Sequence, residues 1–275
     1  MKRTKIGICA PSKPFSSDLP VQISALAAQS HSDVELVFSD QCFADDGHFA
    51  GDDALRCQTF VSMANDPQLD AIWFARGGYG AARIAEDIIR QMEPAARDKH
   101  YLGYSDGGNL LGALYRNGIG TQAHGPMPID IVRDGGETAI LRALDWLVNR
   151  DPSTLEPTIV AGQKYAAFNL TTLAMMVGTP LMPSLNEHIL MVEEIAEYLY
   201  AFDRAMFNVT SHLADKNLTG LCLGRVSDIP ENDRPFGEDA EEIARRWCAR
   251  HGIAYLGRVD IGHDANNKIV PFGII

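Results

Sequence analysis

The stretch AIWFARGGYGAARIAEDIIRQM, residues 71–92, joins a short apolar run to an amphipathic segment through a glycine-rich turn. The apolar run covers residues 71–75, and glycines follow at positions 77, 78 and 80. Beyond them, apolar side chains recur every four residues, at Ile84, Ile88 and Met92. A buried strand that leads through glycines into a helix is the repeating unit of parallel α/β sheets. The stretch therefore predicts an α/β fold.

The same alternation of strand and helix extends over the first half of the chain. Strands are predicted at residues 5–10, 34–38, 71–75 and 101–104, and helices at residues 19–28, 54–64, 81–92, 110–115 and 139–148. This order predicts a parallel-sheet α/β domain over residues 1–154. In such sheets functional groups collect at the carboxyl ends of strands. The glycine-rich turns at 77–80 and 103–108 both fall at such ends.

The pattern changes after a polar, proline-containing segment at residues 149–157, which is typical of a linker. Shorter elements follow it: strands are predicted at residues 158–161, 165–168, 189–192 and 221–226, and helices at residues 196–213 and 238–250. We therefore predict a second, smaller, β-rich α+β domain over residues 155–275.

The overall charge argues against two classes of function. The 275 residues include 24 Lys and Arg against 36 Asp and Glu, which gives a net charge of −12, and the basic residues form no cluster. Binding to nucleic acid or to an anionic membrane surface needs such a cluster. We expect neither partner.

The apolar segment near the N-terminus and the cysteines bear on the compartment. That segment extends about five residues before Pro11, whereas a signal peptide needs about 7–15 and a membrane span about 18. The five cysteines are widely spaced and form no CxxC pair, as free thiols of a reducing compartment do. We therefore expect a cytoplasmic protein without a metal site.

Ser105 lies in Gly103-Tyr104-Ser105-Asp106-Gly107, which fits G-x-S-x-G. In a nucleophile elbow of this kind, small neighbours let a strand turn sharply into a helix so that the serine hydroxyl projects. The N–H of Asp106 would then point from a helix N-terminus at an oxyanion. An alternative interpretation is that Ser105 or Asp106 merely caps the helix.

A serine nucleophile needs a base, and the base needs an orienting carboxylate. Among eight histidines, His263 lies in the Asn- and Asp-rich loop VDIGHDANNKIVPFG, where scaffolded catalytic groups tend to occur. The alternative is an exposed loop histidine. Glu193 and Glu194 follow the strand predicted at 189–192 and are the candidate acids. Alternatively, Glu194 and Glu197 are charges at the N-terminus of the next helix.

Two other classes of protein remain open at this point. An α/β-hydrolase esterase has the same Ser, acid, His order, but the chain contains no HGGG-type segment. A non-enzymatic binding module with two glycine-rich turns is the other alternative. Gly78-Tyr79-Gly80 begins like a dinucleotide fingerprint, but Arg83 stands where the third glycine belongs, so we expect no NAD and no other cofactor.

Taken together, five segments resemble the L,D-carboxypeptidases, the serine peptidase family that includes the microcin C immunity peptidases. They are IGICAPS, FARGGYGAARI, YLGYSDGGNLL, ILMVEEIAEYLYAFDRAM and GHDANNKIVPFG. They occur in the family's order and at suitable spacing over nearly the whole chain. Together they are far more specific than G-x-S-x-G alone.

The resemblance implies a triad of Ser105, Glu193 and His263, in which Ser105 matches G-[YF]-S-D and Glu193 matches the first acid of L-E-[DE]. It implies an oxyanion hole formed by the N–H groups of Asp106 and Gly78. It also implies a flavodoxin-like N-terminal domain, a smaller β-rich C-terminal domain, a site between them and a homodimer.

The family's usual reaction is hydrolysis of the L,D amide bond that releases terminal D-Ala from cytoplasmic murein tetrapeptides, through an acyl-enzyme. The resemblance therefore implies a small peptide substrate, with Arg76 as a candidate for binding its carboxylate. Hydrolysis of aminoacyl-nucleotide or peptide conjugates is the alternative within the family. Two departures bear on the substrate: Gly107-Gly108 replaces a pair such as I-T, and Ala167-Phe168-Asn169-Leu170 replaces G-G-N-[LT].

Overall fold

A computed structural model describes residues 3–274. The strands of the first half are β1 (Thr4–Cys9), β2 (Val34–Phe38), β3 (Ala71–Phe74), β4 (His100–Gly103) and β5 (Thr121–His124). Its helices are α1 (Leu19–Ser30), α2 (Asp53–Asn65), α3 (Ala81–Arg90), α4 (Gly108–Arg116) and α5 (Gly136–Asn149). Every strand and helix predicted for this half is present, with ends that differ by three residues or fewer. Strand β5 is an addition that the sequence analysis missed.

The strands of the second half are β6 (Lys164–Asn169), β7 (His188–Ile195), β8 (Gly220–Ser227), β9 (Tyr255–Arg258), β10 (Val270–Pro271) and β11 (Gly273–Ile274). Its helices are α6 (Leu170–Met176), α7 (Leu199–Leu213) and α8 (Ala240–Arg250).

The first sheet has the strand order β10-β5-β4-β3-β1-β2. Strands β1 to β5 pair in parallel, and β10 adds an antiparallel edge. The parallel part, in the order 2-1-3-4-5, is the flavodoxin-like arrangement. The expected α/β fold with a flavodoxin-like N-terminal part is confirmed.

The second sheet has the order β11-β6-β7-β8-β9, with β6 to β9 parallel and β11 antiparallel. Strand β10 belongs to the first sheet although it lies within residues 155–275. The tail of the chain thus contributes one strand to each sheet. The division of the chain at residues 154 and 155 stays a proposal.

Helices cover both faces of the first sheet, which explains why its central strand β3, Ala71–Phe74, is apolar and buried along its whole length. Ile72 and Phe74 face a core that also contains residues of α2, α3 and α4, whereas Trp73 faces α1 and α5. The first of these cores continues without interruption into the second half through Phe168 and Leu190. The two sheets are therefore held together by shared apolar packing.

Two predicted elements of the second half differ from the structure. Residues 158–161 form a turn rather than a strand, because the Glu156 carboxylate accepts the N–H of Thr158 at 2.8 Å directly after Pro157. Helix α7 begins at Leu199 rather than at residue 196, because Ala196 has a φ of 59° and cannot continue a helix. Within residues 3–274, no helix is both long enough and apolar enough to cross a membrane.

Candidate active site

Ser105 lies on the sharp turn between β4 and α4. Its φ is 57°, in the left-handed region that residues other than glycine rarely adopt. A 3₁₀ turn over Ser105–Gly107 connects it to the helix. The turn has the geometry of a nucleophile elbow, in which backbone strain is retained to present one side chain.

The two glycines of G-x-S-x-G are explained by one aromatic ring. A Cβ added at Gly103 would lie 2.5 Å from Cδ2 of Phe74, and one added at Gly107 would lie 2.8 Å from the same atom. Phe74 ends strand β3, next to β4 in the sheet. The turn after β4 can therefore close over the neighbouring strand only with glycine at both positions.

His263 connects Ser105 to Glu193 by hydrogen bonds. Its Nε2 lies 3.1 Å from Oγ of Ser105, and its Nδ1 lies 2.6 Å from Oε2 of Glu193. Ser105 follows the first sheet, Glu193 belongs to β7 in the second, and His263 lies in the loop after β9. The structure thus brings together the three residues that the sequence analysis selected, at the junction of the two sheets.

The charged and buried groups around His263 change its pKa in opposite directions. Burial lowers the pKa of His263, but the charge and hydrogen bond of Glu193 outweigh burial, with smaller contributions from Glu194 and Asp130. The pKa of His263 therefore lies above its ordinary value. The Glu193 side chain is fully buried, so its carboxylate depends on this partner. The arrangement can accept a proton from Ser105 and stabilise the imidazolium that results.

The loop that carries His263 is held on both sides by Arg225 of β8. The N–H of Arg225 donates to the carbonyl of Ile261 at 2.8 Å, and its guanidinium binds the carboxylates of Asp260 and Asp264. His263 is adjacent to Asp264 in the sequence. The backbone on either side of the imidazole is therefore fixed to the second sheet.

A second histidine, His124, supports the site and was missed in the sequence analysis. It ends β5, and its Nε2 lies 3.1 Å from Oδ1 of Asn267, which also accepts the N–H of Gly262 at 3.1 Å. Burial lowers the pKa of His124 to about 4, so the ring is neutral. Its ring centroid lies 5.5 Å from that of Tyr104, which in turn lies 4.8 Å from that of His263. Recognition of β5 as a strand would have placed His124 at a carboxyl end.

Asp106 ties the elbow to the neighbouring glycine-rich turn. Its carboxylate accepts the N–H of Ala81, the first residue of α3, at 2.9 Å and the hydroxyl of Ser12 at 2.5 Å. Burial raises the pKa of Asp106, and these hydrogen bonds oppose the effect. The cap predicted for Asp106 exists, but the side chain caps α3 rather than the helix that follows it.

The turn at residues 76–80 lies directly against Ser105. A Cβ added at Gly77 would come within 2.9 Å of both Cβ and Oγ of Ser105. The next residue, Gly78, has a φ of 124°, which only glycine adopts readily. Nη1 of Arg76 donates to the carbonyl of Pro14 at 3.1 Å. Its Nε is buried and has no hydrogen-bond partner within residues 3–274.

Glu194 does not belong to the N-terminus of the following helix, as one interpretation of the sequence had it. It lies in β7, is buried, and accepts the N–H of Thr171 at 2.8 Å and the side-chain amide of Asn169 at 2.6 Å. Burial raises its pKa. Its carboxylate therefore caps α6, a different helix that packs beside the site.

The two segments in which the sequence departs from the family pattern, Gly107-Gly108 and residues 167–170, contact each other. A Cβ added at Gly108 would lie 3.3 Å from Cδ1 of Phe168, so the glycine makes room for the phenylalanine. Phe168 is buried in the shared core, and the Asn169 side chain caps α6 by accepting the N–H of Thr172 at 3.0 Å. The altered segment forms strand β6 and a helix cap.

The fold and this hydrogen-bonded series of Ser, His and Glu define a serine hydrolase type of site. The LD-carboxypeptidase N-terminal domain matches residues 6–125, and the LD-carboxypeptidase C-terminal domain matches residues 165–275. The chain therefore belongs to the LD-carboxypeptidase family, and it is an enzyme of the serine peptidase type. No group of three or more His, Cys, Asp or Glu side chains within residues 3–274 is placed to hold a metal ion.

Individual proteins are similar to this chain in sequence or in fold. A protein of Synechocystis sp. that carries a carboxypeptidase name is 31% identical over 87% of this chain and 79% of its own length. The murein tetrapeptide carboxypeptidase of Pseudomonas aeruginosa is 26% identical over 82% of this chain and 78% of its own. The crystal structure of muramoyltetrapeptide carboxypeptidase from Oxalobacter formigenes superposes with a TM-score of 0.80 at 23% identity, covering 98% of this chain and 93% of that one.

Proposed function

We propose that this protein is an L,D-carboxypeptidase that releases the terminal D-Ala of murein tetrapeptides through an acyl-enzyme. The observation that carries the proposal is the hydrogen-bonded series from Ser105 through His263 to Glu193. The similarity to the murein tetrapeptide carboxypeptidase of Pseudomonas aeruginosa supports the choice of substrate.

In the first half of the reaction, His263 accepts the proton of Ser105 as Oγ attacks the carbonyl carbon of the scissile amide. The attack forms a tetrahedral intermediate. Glu193 keeps Nδ1 of His263 protonated and stabilises the imidazolium. His263 then donates the proton from Nε2 to the nitrogen of the departing D-Ala, and the C–N bond breaks.

In the second half, water replaces the amine. His263 accepts a proton from the water as it attacks the ester carbonyl, and Ser105 is released when it regains that proton. In both halves the N–H groups of Asp106 and Gly78 bind the oxyanion. The contact between Gly77 and Ser105 supports this assignment, because it brings the turn beside the reacting oxygen. Loss of one such donor costs about 10²–10³ in rate.

The compartment, the domain division and the oligomeric state of the enzyme belong to the same proposal. We infer that it acts in the cytoplasm on peptides recovered from the cell wall, in agreement with five unpaired cysteines that are all buried. Residues 1–154 would form the domain that carries the nucleophile, and residues 155–275 the domain that carries Glu193 and His263. The active form would be a homodimer.

The decisive experiment measures D-Ala release from a purified murein tetrapeptide. Wild type should release D-Ala, Ser105→Ala should release none, and Ser184→Ala, at an exposed loop position, should match wild type. A folded wild-type enzyme that releases no D-Ala would overturn the proposal. Hydrolysis of an aminoacyl-nucleotide conjugate or of a simple ester by that same preparation would then identify the alternative.

A further inference from the structure

A carboxypeptidase must bind the free carboxylate of its substrate close to the bond that it breaks. On the proposed function, this carboxylate belongs to the departing D-Ala and needs a cation near Ser105. Arg76, the candidate from the sequence, already donates from Nη1 to the carbonyl of Pro14, while its Nε has no hydrogen-bond partner within residues 3–274. A different cation lies on the turn that contacts the nucleophile.

Lys13 extends along this turn from the loop between β1 and α1. A Cβ added at Gly78 would lie 2.5 Å from Cγ, 2.7 Å from Cδ and 3.1 Å from Cε of Lys13. The methylene groups of the lysine therefore lie on the backbone of Gly78. The preceding residue, Gly77, contacts Ser105. One short turn thus separates the Lys13 side chain from the nucleophile.

The backbone of Lys13 is fixed to the elbow by its neighbour. The hydroxyl of Ser12 donates to the carboxylate of Asp106 at 2.5 Å, and the carbonyl of Ser12 accepts the N–H of Ala50 at 3.0 Å. Ser12 is fully buried. Because Asp106 follows Ser105 directly, the hydrogen bond of Ser12 connects the loop that carries Lys13 to the turn that carries the reacting hydroxyl.

The ammonium group of Lys13 has no partner of opposite charge within the described part of the protein. Among residues 3–274, no carboxylate or carbonyl forms a hydrogen bond or an ion pair with its ammonium group. Its side chain is partly buried, which reduces the screening of its charge by water. We propose that the Lys13 ammonium binds the terminal carboxylate of the substrate and makes the enzyme selective for peptides with a free C-terminus.

The test compares a murein tetrapeptide with the same peptide ending in a carboxamide. The measured quantity is the ratio of kcat/KM for the acid to kcat/KM for the amide. In Lys13→Met this ratio should fall about 10- to 100-fold relative to wild type, the usual contribution of a hydrogen bond to a charged group. Lys13→Arg should retain most of the ratio. Lys216→Met, which removes a lysine beyond the end of α7, should leave it unchanged.

The outcomes separate this proposal from the proposed function. If wild type cleaves the acid peptide and the ratio does not change in Lys13→Met, Lys13 has no such role and the carboxypeptidase assignment stands. A ratio that collapses in Arg76→Met instead would assign the carboxylate to Arg76 and overturn the role of Lys13. If folded wild type cleaves neither peptide, both proposals fail. Circular dichroism of each variant confirms that it is folded.

Discussion

Nδ1 of His263 lies 2.6 Å from Oε2 of Glu193, a carboxylate with no exposed surface. The two residues are 70 positions apart in the sequence and belong to a loop and a strand of the second half. This pair fixes which imidazole nitrogen carries the proton and turns the other toward Ser105. Its charge also raises the pKa of His263, although burial opposes the change.

Replacement of Glu193 by Gln should therefore lower kcat by about 10³–10⁴, because the amide no longer enforces the correct tautomer or stabilises the imidazolium. Steady-state kinetics on the murein tetrapeptide measure the effect. Glu197→Gln, four residues along the chain and outside the hydrogen-bonded series, is the matched control. A loss of less than tenfold in Glu193→Gln would contradict the role given to the carboxylate.

The pH dependence of kcat/KM should show an acid limb with its midpoint above 6.5, the ordinary pKa of histidine. The sign follows from the role of His263 as a base: it must be neutral in the free enzyme, and its raised pKa keeps it protonated to higher pH. His124, with a pKa of about 4, should not titrate in this range. A midpoint below 6.5 would show that burial outweighs Glu193.

The Ser105→Gly variant should be more stable to unfolding than the Ser105→Ala variant. Both substitutions remove the hydroxyl and abolish activity, but only glycine adopts a φ of 57° without a Cβ penalty. We expect Ser105→Gly to exceed Ser105→Ala by about 0.5–1 kcal/mol in the free energy of unfolding. Urea denaturation of the two proteins measures the difference. Equal stability would argue against strain at this turn.

Gly103→Ala should destabilise the fold by about 1–3 kcal/mol through overpacking, because the new Cβ would lie 2.5 Å from Cδ2 of Phe74. Thermal denaturation reports the loss. In a Phe74→Leu background the new Cβ has more room. Gly103→Ala should therefore lower the free energy of unfolding less in that background than in wild type. Additive effects of the two substitutions would contradict the proposed steric cause.

Arg225→Met should reduce kcat about 10- to 100-fold, since a displacement of about 1 Å in a catalytic group has an effect of this size. The variant leaves the carboxylates of Asp260 and Asp264 without the guanidinium, close to His263. Their negative charge should raise the pKa of His263 further, so the acid limb should also move to higher pH. Arg245→Met, which removes an exposed ion pair with Glu241, is the control. An unchanged pH profile together with an unchanged kcat would contradict this role.

The local chemistry of the chain was sufficient to predict every α-helix and four of the five strands of the first half of the fold. Apolar runs such as residues 71–75 and helical periodicity such as that of α3 are local properties, and they predicted each of those elements to within three residues. The glycines around Ser105 likewise indicated a sharp turn. Strands β5 and β10 are short or contain polar residues, so their sequences show no strand periodicity. They are strands because each pairs with a neighbouring strand of the sheet, which the local sequence does not show.

By itself, the sequence determined the α/β class, the turn at Ser105 and, through the resemblance of its motifs, the residues expected to act with it. Only the tertiary structure decided that Ser105 and His263, which are 158 positions apart, lie within hydrogen-bonding distance. It alone also placed Arg225, His124 and Lys13 around them. The physical reason is that strand and helix formation depends on neighbours along the chain. A site at the junction of two sheets depends instead on long-range packing, which local sequence patterns do not encode.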